Sequence, residues 1–105
     1  MHVAQCKVMY HEYAFGPGRL RFDTVETPHT VERTLAMLHE GQALLLADLD
    51  ALGDDDLEAP VMKNWGEPWP AWRIFWTMIH HDLHHGAEVG VLRDLYRAGA
   101  TRPAR

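Results

Sequence analysis

Apolar side chains return at every third or fourth position in three stretches of this chain, the spacing that places them on one face of a helix. His2, Cys6, Met9 and Tyr13 form the first stripe, which Phe15, Gly16, Pro17 and Gly18 then stop, and a short helix over about residues 1–15 is predicted. The middle stripe is Val31, Leu35, Leu38, Gln42, Leu45, Leu49 and Leu52. Thr27 ahead of Pro28 offers a hydroxyl cap followed by proline at the first helical position, so this helix is predicted over about residues 27–52, ending at Gly53. The last stripe predicts a helix over about residues 69–98, with Gly99 as its stop and Arg93 and Arg97 complementing the negative end of its dipole. Between these, Arg19 to Glu26 alternates weakly but has no partner strand, and it reads as an extended connection. Asp54, Asp55, Asp56 and Leu57 suggest a short turn. The run to Pro68, broken by Pro60, Asn64 and Gly66, reads as a long tryptophan-bearing loop, and Thr101 to Arg105 reads as an unstructured tail.

The pattern therefore predicts an all-α fold, an up-down helical bundle forming one domain over residues 1–105. Its inventory is lopsided. At about 1.5 Å per residue the two long helices reach roughly 37 to 43 Å and the first only roughly 21 Å, so the first cannot cover them. Helical sequence ahead of Met1 or a second subunit is expected to supply the cover, and a homodimer that buries the open face is the favoured outcome.

Composition narrows the function classes. A 47% hydrophobic content supports an ordinary core for 105 residues, and a net charge of −5 without a basic cluster sets nucleic acid and anionic membranes aside. The longest apolar runs are short, as in Ala43 to Ala47, and no secretory leader opens the chain, so a cytoplasmic address is expected. Cys6, the single cysteine, excludes an internal disulfide and leaves a buried thiol or a reactive or metal-binding one. Two clusters stand out: His80, His81, His84 and His85 among eight histidines, and four tryptophans between Trp65 and Trp76.

On a helical wheel at about 100° per residue, Ile74, Met78, Val89, Leu92 and Tyr96 share one sector, and His81 and His85 fall inside it. His80 and His84 have the same spacing but lie on the flank, while Asp82, Arg93, Asp94 and Arg97 mark the wetter side. Two imidazoles one turn apart on an inner face can both reach a metal at about 2.0 to 2.1 Å. Hydrogen-bonded core histidines are the competing reading, but each ring then needs two partners, which a shared cation would supply at once. A third ligand must come from another helix, and His2, at the head of the first stripe with Cys6 one turn on, is the candidate. Gln42, which interrupts a leucine-rich stripe, and Glu88 are candidate supporting or general-base groups, against a simple structural role. His11, His29 and His39 read as surface residues, and the tryptophans as core and loop anchors.

The segment Trp72 to Tyr96, with His81, Asp82, Leu83, His84, His85 and then Val91, Leu92, Arg93, resembles the final helix of the DinB-like superfamily. The resemblance extends to Asn64, Trp65 and Gly66, to Thr27 and Pro28, and to His2, Val3 and Ala4. It implies a four-helix up-down-up-down bundle, here with about three main helices because the family's first has no counterpart. It also implies a site built from His2, His81 and His85. Where relatives often continue with Arg-Gly-Gln, this chain has Gly86, Ala87 and Glu88. Further implied are one divalent transition metal, with zinc or nickel the leading candidates, and a thiol-transferase or hydrolase-type reaction on a low-molecular-weight thiol and a small apolar substrate. The Trp65 to Trp76 region would wall the pocket, and Glu88 is the catalytic candidate. The alternatives are a non-catalytic metal- or ligand-binding module, and a truncated bundle that only associates with itself.

Overall fold

The computed structural model describes residues 1–63 and 66–100. Asn64, Trp65 and the tail from Thr101 lie outside the described residues. Three helices carry the fold: α1 (His2–Ala14), α2 (Val31–Ala51) and α3 (Ala71–Ala100). Between α2 and α3 come a 3-10 helix at Asp54–Glu58 and two short strands, β1 (Pro60–Val61) and β2 (Trp69–Pro70). The strands pair antiparallel, Pro60 with Pro70 and Val61 with Trp69, and the amide of Ala71 donates to the carbonyl of Ala59. The tryptophan-bearing connection is thus pinned at its base, and α3 leaves it in a fixed direction. The protein is an all-α bundle, as the hydrophobic pattern predicts.

The core forms where α1 meets α2. Ala4, Met9, Val25 and Met37 are buried together, with Val8, Tyr13, Leu20 and Leu38 packed around them. Ile74 and Met78 are buried on α3, and Phe75 stacks on Phe15 with ring centroids 5.4 Å apart. The helices α1 and α2 come close at Gly41, where a Cβ atom would stand 2.8 Å from Cβ of Lys7. That contact turns α2. Its buried face is Met37, Gly41 and Leu45, roughly 70° around the helix from the predicted stripe at about 100° per residue. Val31, Leu35 and Leu49 of that stripe are exposed, because the helix follows the one place where backbone can come near rather than its greatest leucine density.

The start of α2 also differs from the expectation. Thr30, not Thr27, is the cap: its hydroxyl accepts from the amide of Arg33 at 3.0 Å. The guanidinium of Arg33 binds the carboxylates of Glu26 and Glu40, and Pro28 is buried, so residues 27–29 are held as an extended lead-in. Upstream, the buried carboxylate of Glu12 accepts from the amides of Arg19 and Leu20 and folds the connection back over α1, with Gly18 supplying the left-handed residue (φ 68°). Thr24 and Val25 donate to the carbonyl of Arg21, so the predicted extended stretch contains a turn.

At the far end α3 runs through Gly99 to Ala100, past its predicted stop. Its 30 residues span about 45 Å at the usual helical rise, against about 20 Å for α1, so its second half leaves the bundle. Val89, Leu92, Leu95 and Tyr96 are all more than 60% exposed there. Among the described residues no helix is long and apolar enough to cross a membrane.

Two stability measurements test this packing. Gly41→Ala should lower the unfolding free energy by about 1 to 3 kcal/mol through overpacking, whereas Gly90→Ala, in open space, should raise it by up to about 1 kcal/mol. Thr30→Ala should cost about 1 kcal/mol in urea denaturation, and Thr27→Ala no more than about 0.5 kcal/mol.

Candidate metal centre

His2 stands in the first turn of α1, and His81 and His85 stand one turn apart on α3. The packing of α1 against α3 brings the three rings together, with centroids 5.1 Å apart for His2 and His81, 5.0 Å for His2 and His85, and 4.4 Å for His81 and His85. Nε2 of His2 and Nε2 of His81 are 3.2 Å apart. The flanking pair separates as the wheel requires: His80 lies against Trp76, and His84 is exposed.

A third residue of α1 belongs to the same cluster. Cys6, buried one turn after His2, places Sγ 3.7 Å from both ring nitrogens of His2, and the donor atoms of His2, Cys6 and His81 all lie within 4.8 Å of one another. The second histidine of α3 faces differently. Nδ1 of His85 lies 3.1 Å from the carboxylate of Glu88, which also reaches Nε2 of His84 at 2.7 Å.

Electrostatics favour a neutral ring at His81. Burial first, and then the neighbouring imidazoles of His85 and His2, hold His81 below the ordinary histidine value, with Asp82 opposing in part. Nδ1 of His81 is a buried nitrogen without a hydrogen-bond partner. Such an atom costs free energy unless something satisfies it. The donor set suits a borderline-soft divalent cation: two nitrogens bound at about 2.0 to 2.1 Å around a tetrahedral ion stand about 3.3 Å apart, close to the separation of His2 and His81.

Beside the histidines, α2 and α3 stand apart across a groove floored by α1. One part is a cavity of about 430 Å³, with Val3, Leu38 and Val89 as apolar wall and His85 at its edge. Its polar end is Lys7, which is buried and donates from Nζ to Oε1 of Gln42 at 2.8 Å and to Oδ2 of Asp82 at 2.7 Å. Gln42, a supporting or general-base candidate from the sequence, is thus a partner of Lys7. Glu88 faces His84 and Leu92 on another side of α3 and does not line this cavity.

The sequence reading missed Lys7 and underrated Asp82, placed on the wetter side. The signal available was a lone cation inside the otherwise apolar run of α1, with a carboxylate beside His81. Two further expectations are corrected. Among the described residues no tryptophan lines the cavity: Trp72 and Trp76 are exposed around a shallow pocket with Pro70 and Arg73. Trp69 lies between the cations of Lys63 and Arg73, each 4.2 Å from its ring, which anchors the connection rather than the site. His11 is not a surface residue, because it is largely buried and donates from Nδ1 to Asp48 on α2.

No curated protein and no solved structure matches the chain. The family model of the DinB superfamily matches residues 1–89, which include α1, α2, all four clustered histidines and Glu88. With that match over most of its length, the chain belongs to the DinB superfamily.

Proposed function

We propose that this protein is a metal-dependent enzyme of the thiol-transfer kind, in which His2, His81 and His85 hold one divalent transition metal, zinc or nickel. The observation that carries the reading is the approach of imidazoles from two helices, with Nε2 of His2 and Nε2 of His81 3.2 Å apart and the ring of His85 beside both. Bound there, the metal would act as a Lewis acid that lowers the pKa of a bound thiol or water. The chain's own groups do the rest. His81, held neutral, presents a lone pair near neutral pH. Glu88 orients His85 and is a positioning residue in this reading, since its carboxylate is engaged by His84 and His85.

The cavity beside the histidines is the place for a small apolar substrate. Its volume of about 430 Å³ falls at the smaller end of ligand pockets, and its lining sets Val3, Leu38 and Val89 against the polar side chains of Lys7, His39, Gln42, Asp82 and His85. Lys7 and Gln42 give it one polar end, so a substrate with a single hydrogen-bonding or anionic group would lie with that group toward α1. A non-catalytic metal-binding module is the second reading, favoured by the engagement of Glu88 and of Asp82, which leaves the cavity without an unpaired carboxylate among the described residues.

Elemental analysis of purified, untagged protein tests the site. The wild type should carry about one zinc or nickel per chain, and both His2→Ala and the His81→Ala, His85→Ala double variant should lose it while keeping helical circular dichroism. Wild type that stays metal-free after reconstitution would end the metalloenzyme reading.

We also assign the exposed apolar face of α3 to a second copy of this chain. Val89, Leu92 and Tyr96 repeat at three and four residues along a helix that α1 is too short to cover, the pattern of a helix-pairing seam. Sedimentation should give a dimer at micromolar concentration and a monomer for Leu92→Glu; a monomeric wild type would refute the pairing.

A further inference from the structure

Cys6 is left over by a three-histidine site, yet it stands inside the cluster. It is buried, it follows His2 by one helical turn, and its sulfur lies against the ring of His2. A distance of 3.7 Å to either ring nitrogen is long for a thiol hydrogen bond, and the thiol has no other partner of that kind among the described residues. Around one tetrahedral ion, a sulfur at about 2.3 Å and a nitrogen at about 2.0 to 2.1 Å are separated by about 3.5 to 3.6 Å. The separations of Cys6 from His2 and of His2 from His81, 3.7 and 3.2 Å, are thus close to those of donors sharing one cation, and that of Cys6 from His81 is within 4.8 Å.

We propose that Cys6 is a ligand of the same metal ion, so that the donor set is a thiolate with histidines rather than histidines alone. This inference rests on the metal reading above and changes its chemistry. On binding, the Sγ–H bond of Cys6 breaks, the proton passes to solvent, and an Sγ–metal bond forms; nothing is oxidised or reduced. Burial pushes the Cys6 thiol up, so without a cation it stays a poorly nucleophilic thiol. With three histidines and Cys6 the ion has four protein donors, the arrangement of a closed site. The sulfur also shifts selectivity toward softer ions, and a carboxylate-preferring cation such as magnesium is excluded.

Cobalt(II) reports both questions at once. Wild-type protein, Cys6→Ser and Cys6→Ala are loaded with cobalt, and absorption, bound metal and affinity are measured together. The expected wild-type spectrum combines the visible bands of a four-coordinate ion with a sulfur-to-cobalt charge-transfer band in the near ultraviolet. Both variants should lose the charge-transfer band, keep the visible bands, and bind cobalt about tenfold or more weakly, as losses around a metal site generally do. Alkylation of Cys6 by iodoacetamide, measured on wild type alone, should slow markedly once cobalt is bound, and this arm does not depend on a variant folding. Stoichiometric cobalt with a histidine-only spectrum and unchanged alkylation would overturn the role of Cys6 and leave the histidine site standing. Wild type that binds no cobalt would overturn the metal reading and this inference with it.

Discussion

A buried ammonium fixes this molecule. Lys7 lies where α1, α2 and α3 converge, and its Nζ donates to Gln42 on one neighbour and to Asp82 on the other. An unpaired charge there would cost several kcal/mol, so α2 and α3 each have to present an oxygen to α1. The same residue sets the spacing, because its Cβ lies where any side chain at Gly41 would have to go. Once Lys7 is satisfied, little freedom remains. Asp82 is adjacent to His81 in sequence, and His2 and Cys6 precede Lys7 on one helix, so the bond that holds the bundle also delivers the histidines to one another.

Polar groups stand at both ends of α1. Toward its end, the buried carboxylate of Glu12 and the His11–Asp48 pair flank a core of Met9, Met37 and the stacked Phe15 and Phe75. Toward its beginning, imidazole, thiol, ammonium and amide surround a groove. A polar interior of this kind contributes less to stability than a well-packed apolar one would. Its retention is understandable if the groups serve a ligand, and the unsatisfied nitrogen of His81 is the sharpest local sign of that cost.

The role expected for the loop tryptophans illustrates how a cluster in sequence can mislead. Trp69, Trp72 and Trp76 follow one another closely, but the strand pair turns the first between two cations and the start of α3 turns the others outward. Trp69 alone of the three is shown to anchor the entry to α3. Membership of the DinB superfamily accords with the helical arrangement, within which Glu88 lies beside two histidines and Cys6 beside His2.

The sequence by itself determined the helical class, the number of main helices and which two of four clustered histidines face inward, because these follow from periodicity alone. His81 and His85 are a turn apart on any helix, and the apolar residues around them define the inner side. Tertiary structure decided what periodicity does not encode. The rotation of α2 came from a backbone contact at Gly41, its cap from the Arg33 bonds that hold residues 27–29 extended, and the burial of Lys7 from partners 35 and 75 residues away. The union of His2 and Cys6 with His81 belongs to this second group: it depends on how α1 crosses α3, and no local pattern in either helix specifies that crossing.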